Sequence, residues 1–215
     1  LSDETRTAMH ASAVRLGQSI NYTSCGTIEY LVDPQTEKFY FIEMNTRLQV
    51  EHPVTELVTL TDIVKEQIWV AAGKELSLAQ NEVEHRGHAI EVRVNAEDPV
   101  TFIPSPGLVD GYHPPGGLGV RIDSAIYDRY KIPPYYDSLI AKIIVRGQNR
   151  DEAIQKMIVA LDECIIGGVK TNLSMLKLVL GHEEFRSGRV HTRLLERILE
   201  ESKQAQNGDA VRLSL

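Results

Sequence analysis

Long apolar runs are absent from this 215-residue sequence: its aliphatic stretches are broken by Lys or Glu well short of the roughly 18 to 20 apolar residues that cross a bilayer. A membrane-spanning role is excluded on that basis, and no membrane partner is expected. Cysteine is scarce. Cys25 and Cys164 are far apart and form no CxxC pattern, which excludes a disulfide framework or zinc knuckle and fits a reducing, cytoplasmic compartment. An excess of positive charge is missing as well. With 23 Lys and Arg against 30 Asp and Glu, and no polybasic block, the chain lacks the footprint of a nucleic-acid binder, and no nucleic acid is expected as a partner. Neither Gly (15) nor Pro (9) is enriched, so collagen-like, disordered and low-complexity readings are excluded too. What remains has the composition of a globular protein, with 42% hydrophobic and 25% charged residues. The opening at Leu1, running straight into the helix-start signal Ser2-Asp3-Glu4, leads us to expect a longer natural protein.

The pattern predicts an α+β protein. Residues 2–16 read as a helix closed by Gly17. Residues 27–32 and 39–44 are aromatic and β-branched runs on either side of the polar stretch 33–38, which predicts a hairpin. A polar connector over 45–53 precedes a helical stretch at about 61–72, with Gly73 after it. Over 87–96 the chain alternates, with Ile90, Val92, Val94 and Ala96 on one face and Glu91, Arg93 and Asn95 on the other. Residues 99–134 are rich in Pro and Gly turns and predict short strands, and 137–146 predict another strand. Helices are expected over 150–164, 172–180 and 192–201, with a frayed tail after Lys203. The character of the sequence changes near residue 86, dividing it into domains 1–86 and 87–215.

The hairpin carries the chemistry. With its turn centred on Thr36, Glu29 faces Glu43, Leu31 faces Phe41 and Asp33 faces Phe39. Carboxylates directly opposite on antiparallel strands have Cβ atoms about 5 Å apart and repel, so something must offset them. A hard divalent cation such as Mg²⁺ or Mn²⁺ does so with carboxylate and amide oxygens, and Asn45 shares the strand face of Glu43. The spacing equally allows one Glu to point into solvent, or a register offset by one residue. Continuing at period two, Glu43, Asn45, Arg47, Gln49 and Glu51 fall on one side if the chain stays extended, with Met44, Leu48 and Val50 on the other. A solvated edge has a similar pattern. The Glu-Asn-Arg-Gln-Glu series suits a phosphate-bearing metal complex beside a guanidinium that holds a small oxyanion bidentately, with Glu51 in reach as a general base.

The run FYFIEMNTRLQVEHPVTE at 39–56 closely resembles the signature of the biotin carboxylases, members of the ATP-grasp superfamily. The resemblance continues through GHAIEVRVNAEDP at 87–99, PSPG at 104–107, PPYYDS at 133–138 and GVKTN at 168–172, and so covers nearly the whole chain. It implies the second half of an ATP-grasp domain, an antiparallel sheet with helices, followed by a biotin carboxylase C-terminal domain. It also implies an activity: bicarbonate attacks ATP to form carboxyphosphate and ADP, and the carboxyl group passes to biotin on a carrier protein. That is the first half-reaction of acetyl-CoA carboxylase in fatty acid biosynthesis.

By the same resemblance Glu29, Glu43 and Asn45 are metal ligands that bridge Mg²⁺ or Mn²⁺ to ATP, with Glu29 and Glu43 also counted among the ATP contacts. Arg47 holds bicarbonate and is catalytic, Gln49 and the backbone of Val50 line the bicarbonate site, and Glu51 deprotonates bicarbonate. Arg93 contacts biotin, and Leu31 and Ile42 touch the adenine. Leu118 and Arg121 fall where the family forms a homodimer. The implied partners are a biotin carboxyl carrier protein and carboxyltransferase subunits. Two departures qualify this. No counterpart of the family's N-terminal half precedes Glu29, so the chain alone is expected to be inactive. An Ala-Met-Lys-Met biotinylation motif is lacking, so the biotin is expected elsewhere. The alternatives are another ATP-grasp carboxylate ligase, or a non-catalytic dimerisation and carrier-docking module.

Overall fold

The computed structural model describes the backbone of residues 1–212 and the side chains of residues 1–204. It divides into two compact units, residues 1–85 and the residues from Arg86 onward.

The first unit opens with α1 (Asp3–Ser19), whose N-cap Ser2 accepts a hydrogen bond from the Thr5 amide. The helix runs through Gly17, which the sequence pattern took as its end, and stops at Ile20 instead. The hairpin β1 (Thr27–Val32) and β2 (Phe39–Asn45) follows. Its turn is built by Asp33, whose carboxylate accepts from the Gln35 amide at 2.9 Å and the Thr36 hydroxyl at 2.7 Å, while Glu37 takes the left-handed conformation (φ 53). The two bonds hold the Asp33 carboxyl below its usual range, the Gln35 amide contributing most. Glu37 reaches back to the start of α1, accepting from the Ser2 amide at 2.9 Å and the Thr5 hydroxyl at 2.7 Å.

Glu29 does pair with Glu43, but the register does not run uniformly. A bulge after Glu29 shifts it, so that Tyr30 faces Phe41 and Leu31 faces Tyr40 rather than Phe41. Asp33 lies in the turn, its amide bonded to the Lys38 carbonyl rather than facing Phe39. Beside the turn the pairing is shifted by one residue from the expected register, and the extra residue in β2 restores the Glu29–Glu43 pair. The chain does not stay extended past Asn45. A turn at Gln49–His52 leads into α2 (His52–Thr59), a helix absent from the sequence reading, with Pro53 in its first turn. Helix α3 (Ile63–Ala71) is capped by Asp62, which accepts from the Lys65 amide at 2.8 Å.

The second unit is built on the antiparallel sheet β3-β8-β6, formed by β3 (His88–Asn95), β6 (Val120–Ser124) and β8 (Leu139–Gly147). Val92 of β3 faces Ile143 of β8, so Ile90, Val92 and Val94 meet Val145, Ile143 and Ala141 on one buried face. Helix α4 (Arg150–Glu163) covers that face with Ala153, Ile154, Met157, Ala160 and Leu161, an apolar stripe at helical spacing. Gly87 turns the chain into β3 at φ +73, and a Cβ there would collide with the Gly147 carbonyl. The Pro/Gly-rich segment holds β4 (Gly107–Leu108), β5 (Tyr112–His113) and β7 (Lys131–Ile132) as short strands. Strand β9 (Ile165–Ile166) pairs with β5. The helices α5 (Leu173–Gly181), α6 (Glu183–Arg186) and α7 (Leu194–Arg212) close the unit, and α7 continues past Lys203, where a frayed tail was expected. Among the described residues no helix is long and apolar enough to cross a membrane.

Candidate functional site

The bulged hairpin gathers four of the expected residues. The Asn45 side-chain amide donates to Glu29 Oε1 at 2.8 Å and to Glu43 Oε1 at 3.3 Å, so a polarised N–H group lies between the opposed carboxylates. That contact offsets part of the repulsion of the pair, and the solvent exposure of both glutamates screens more. Arg47 Nη2 donates to Asn45 Oδ1 at 3.4 Å and Nη1 to the Leu48 carbonyl at 3.2 Å, which places the guanidinium beside the cluster. Two converging carboxylates and an amide form an oxygen donor set that fits a hard divalent cation. To ligate such a cation, Asn45 would rotate its side-chain amide so that Oδ1 takes the place of Nδ2 between the carboxylates.

Gln49, Val50 and Glu51 lie in the turn before α2 rather than along an extended strand. Gln49 Nε2 is buried and has no hydrogen-bond partner among the described residues, so a donor is held open in the turn. The Gln49 carbonyl is occupied by His52, whose Nδ1 lies 2.7 Å away. Glu51 is the N-cap residue of α2, exposed, and does not use its side chain to cap the helix. Leu31 and Ile42 are 64% and 54% exposed on the hairpin, beside exposed Tyr40 and Phe41.

Arg93 belongs to the second unit. It is the exposed residue of β3 between the buried Val92 and Val94, and it lines a cleft of about 380 Å³ with Glu91, Asn95, Asn172 and Met175. Alternation alone puts Arg93 on this outer face. Leu118 is 96% exposed at a turn, and Arg121 is bound to Asp123 at 2.8 Å. A residue to which the sequence assigned no site role is Asn172, read as a helix start and as the end of the GVKTN segment. Its partners lie 77 and 79 residues away, beyond any local signal.

Comparisons with known proteins give two family matches. Residues 91–197 match the family model described as the biotin carboxylase C-terminal domain. Residues 1–79 match that described as the carbamoyl-phosphate synthase L chain, ATP binding domain. Biotin carboxylase 1 of Bacillus subtilis is 54% identical over 91% of this chain and 44% of its own length. A pyruvate carboxylase subunit from Methanothermobacter thermautotrophicus is 50% identical over 91% of this chain and 40% of its own. Among solved structures, the biotin carboxylase domain dimer of Hydrogenobacter thermophilus 2-oxoglutarate carboxylase superposes with a TM-score of 0.89 at 44% identity. It covers 93% of this chain and 45% of that one, and was crystallised with MgADP, ADP and bicarbonate. The chain thus spans less than half the length of these relatives.

Proposed function

The chain belongs to the biotin carboxylase family, and from that premise we propose that it contributes to the ATP-dependent carboxylation of biotin by bicarbonate, in a protein of its relatives' length. The observation that carries this reading is the convergence of the Glu29 and Glu43 carboxylates on Asn45, with the Arg47 guanidinium beside them.

In the first stage a bicarbonate oxygen attacks the γ-phosphorus of ATP, giving carboxyphosphate and ADP. Glu29, Glu43 and Asn45 hold Mg²⁺ or Mn²⁺, which when bound neutralises phosphate charge. The Arg47 fork takes the carboxylate edge of bicarbonate, and the open Gln49 amide and the Val50 backbone border the same anion. Glu51 takes the bicarbonate proton, and its exposure at the end of the turn leaves its carboxylate accessible. Leu31 and Ile42 offer apolar surface to the adenine. In the second stage the carboxyl group passes to the ureido nitrogen of biotin, the carboxyl–phosphate bond breaks, and the displaced N–H proton leaves with the released phosphate. Arg93 stabilises the negative charge that develops on the ureido oxygen.

The biotin arrives on a carrier protein, and a carboxyltransferase uses the product. We place this chain with acetyl-CoA carboxylase, although two of the relatives are named for pyruvate and 2-oxoglutarate. The surface around Leu118 and Arg121 is the proposed homodimer contact, and the protein is proposed to act in the cytoplasm. ADP formation by the full-length protein with Mg²⁺, measured with and without bicarbonate and free biotin, tests the reading. Dependence on bicarbonate with stimulation by biotin is expected. Turnover indifferent to biotin and triggered by another carboxylic acid would assign the chain to a different ATP-grasp ligase.

A further inference from the structure

The strand that carries Arg93 is an edge strand. β3 pairs with β8 on one side, and the ladder is irregular between Val94 and Asn95, immediately after Arg93. On the open side the backbone of residues 93–95 has no strand neighbour, and such an edge frays unless something completes it. Asn172 does so. Its Nδ2 donates to the Arg93 carbonyl at 3.0 Å, its Oδ1 accepts from the Asn95 amide at 2.9 Å, and its own backbone N–H donates to the Asn95 carbonyl at 3.2 Å. A side-chain amide that gives to the carbonyl of one residue and takes from the amide two residues on reproduces the contacts that one residue's N–H and C=O make across a parallel ladder. The edge is thereby closed around Val94, which is fully buried in the core.

Asn172 also gives up a role that its position invites. It is the N-cap of α5, a site where Asn ordinarily accepts from the helix amides, yet its side chain makes no such bond. At 3% exposure, it is turned wholly toward β3. The residues around it are tied the same way: Lys170 Nζ binds Asp98 at 2.8 Å, and the Lys170 amide donates to Ser105 at 3.1 Å. The segment before α5 is thus laced to the far end of β3.

We propose that Asn172 is a positioning residue for Arg93: by completing the open edge of β3 it fixes the backbone from which the guanidinium reaches the biotin. The inference rests on the reading of Arg93 given above. With the core under Val94, β8 on one side and Asn172 on the other, the backbone that carries Arg93 is held on both edges, so placing the guanidinium at the developing charge costs little backbone reorganisation.

The test uses the full-length protein and reads ADP formation against biotin and against ATP. Asn172→Ala is expected to lower kcat/KM for biotin by about tenfold or more while KM for ATP moves by less than about twofold. In an Arg93→Ala background the same substitution is expected to add less than about twofold, because both changes act through one group. A folded Asn172→Ala protein with unchanged biotin dependence overturns the inference, as does a full additional loss on top of Arg93→Ala. Should the alanine variant fail to fold, Asn172→Asp keeps the length and the acceptor but loses the donor to the Arg93 carbonyl. The same biotin-selective loss in it supports the inference, and unchanged biotin dependence overturns it. Biotin stimulation retained by Arg93→Ala would instead overturn the assignment of Arg93 and this inference with it. Stimulation lost in Arg93→Ala but intact in the Asn172 variants would overturn this inference alone.

Discussion

Residues 1–85 set two carboxylates, Asn45 and Arg47 on a two-stranded hairpin from which Leu31, Tyr40, Phe41 and Ile42 project into solvent. The unit from Arg86 onward instead closes a three-stranded sheet under α4, with Ile143, Ile154, Met157 and Leu161 almost wholly buried. Among the described residues Pro53 and Val58 are the buried apolar side chains of the first unit, and no residue of α1 is buried. In this chain, which spans less than half the length of its relatives, the unit with the richer polar chemistry has the smaller core of its own. Its local order rests on hydrogen bonds: the Asp33 turn, the Glu37 tie to α1, and Glu66, which accepts from the Ser77 amide at 2.9 Å. The second unit is held chiefly by burial, to which carboxylates such as Asp98 add.

That contrast breaks most visibly on cleavage. Trypsin is expected to cut after the exposed Arg86, and the C-terminal fragment should keep its far-UV dichroism and a cooperative thermal transition, while the fragment 1–86 loses structure. Loss of structure in both fragments would show that the second core is not self-sufficient. Next in size, Leu161→Ala removes a fully buried side chain and should cost about 2–5 kcal/mol. Leu31→Ala, at a residue 64% exposed, should stay within about 0.5 kcal/mol. Chemical denaturation of the two variants measures the difference, and equal costs would refute it.

Acid sharpens the comparison further. The Ser2 hydroxyl, then Thr5, holds the Glu37 carboxyl below its usual range, and hydrogen bonds from Ser77 do the same for Glu66. Asp98 is held well below the usual carboxylate range, chiefly by Lys170 and then by the Thr101 amide. A carboxyl lowered in the folded state adds stability that is present above its unfolded value, about 4, and is lost as pH falls through the folded one. Stability should therefore decline from about pH 4 downward. Glu37→Gln should flatten that decline for the first unit, and Asp98→Asn for the second. Glu66 is buried and Glu37 and Asp98 are half-buried; hydrogen exchange followed against pH in each unit reads the effects. A decline that neither substitution alters would show that other groups govern it.

Much of this was legible in the sequence because its signals are local. The alternation of residues 87–96 placed Arg93 outward and Val92 and Val94 inward, and the apolar stripe of 150–164 marked the helix over the core. The Glu29–Glu43 pair was foreseen although two local details were not: the pairing beside the turn is shifted by one residue, and a bulge in β2 shifts it back. Nothing in residue type distinguishes a bulged run of Phe, Tyr and Ile from a regular one. Helix α2 was missed because only Pro53 announces it, in a segment whose polar residues read as a connector. Asn172 was out of reach for another reason, since its partners are set by tertiary packing.

The most direct measurement compares Arg47→Ala with Arg93→Ala in the full-length protein, following ADP formation with bicarbonate as biotin is added. The account predicts that Arg47→Ala abolishes bicarbonate-dependent turnover at every biotin concentration, and that Arg93→Ala abolishes the rise with biotin. A rise with biotin that survives Arg93→Ala, or bicarbonate dependence that survives Arg47→Ala, would contradict it.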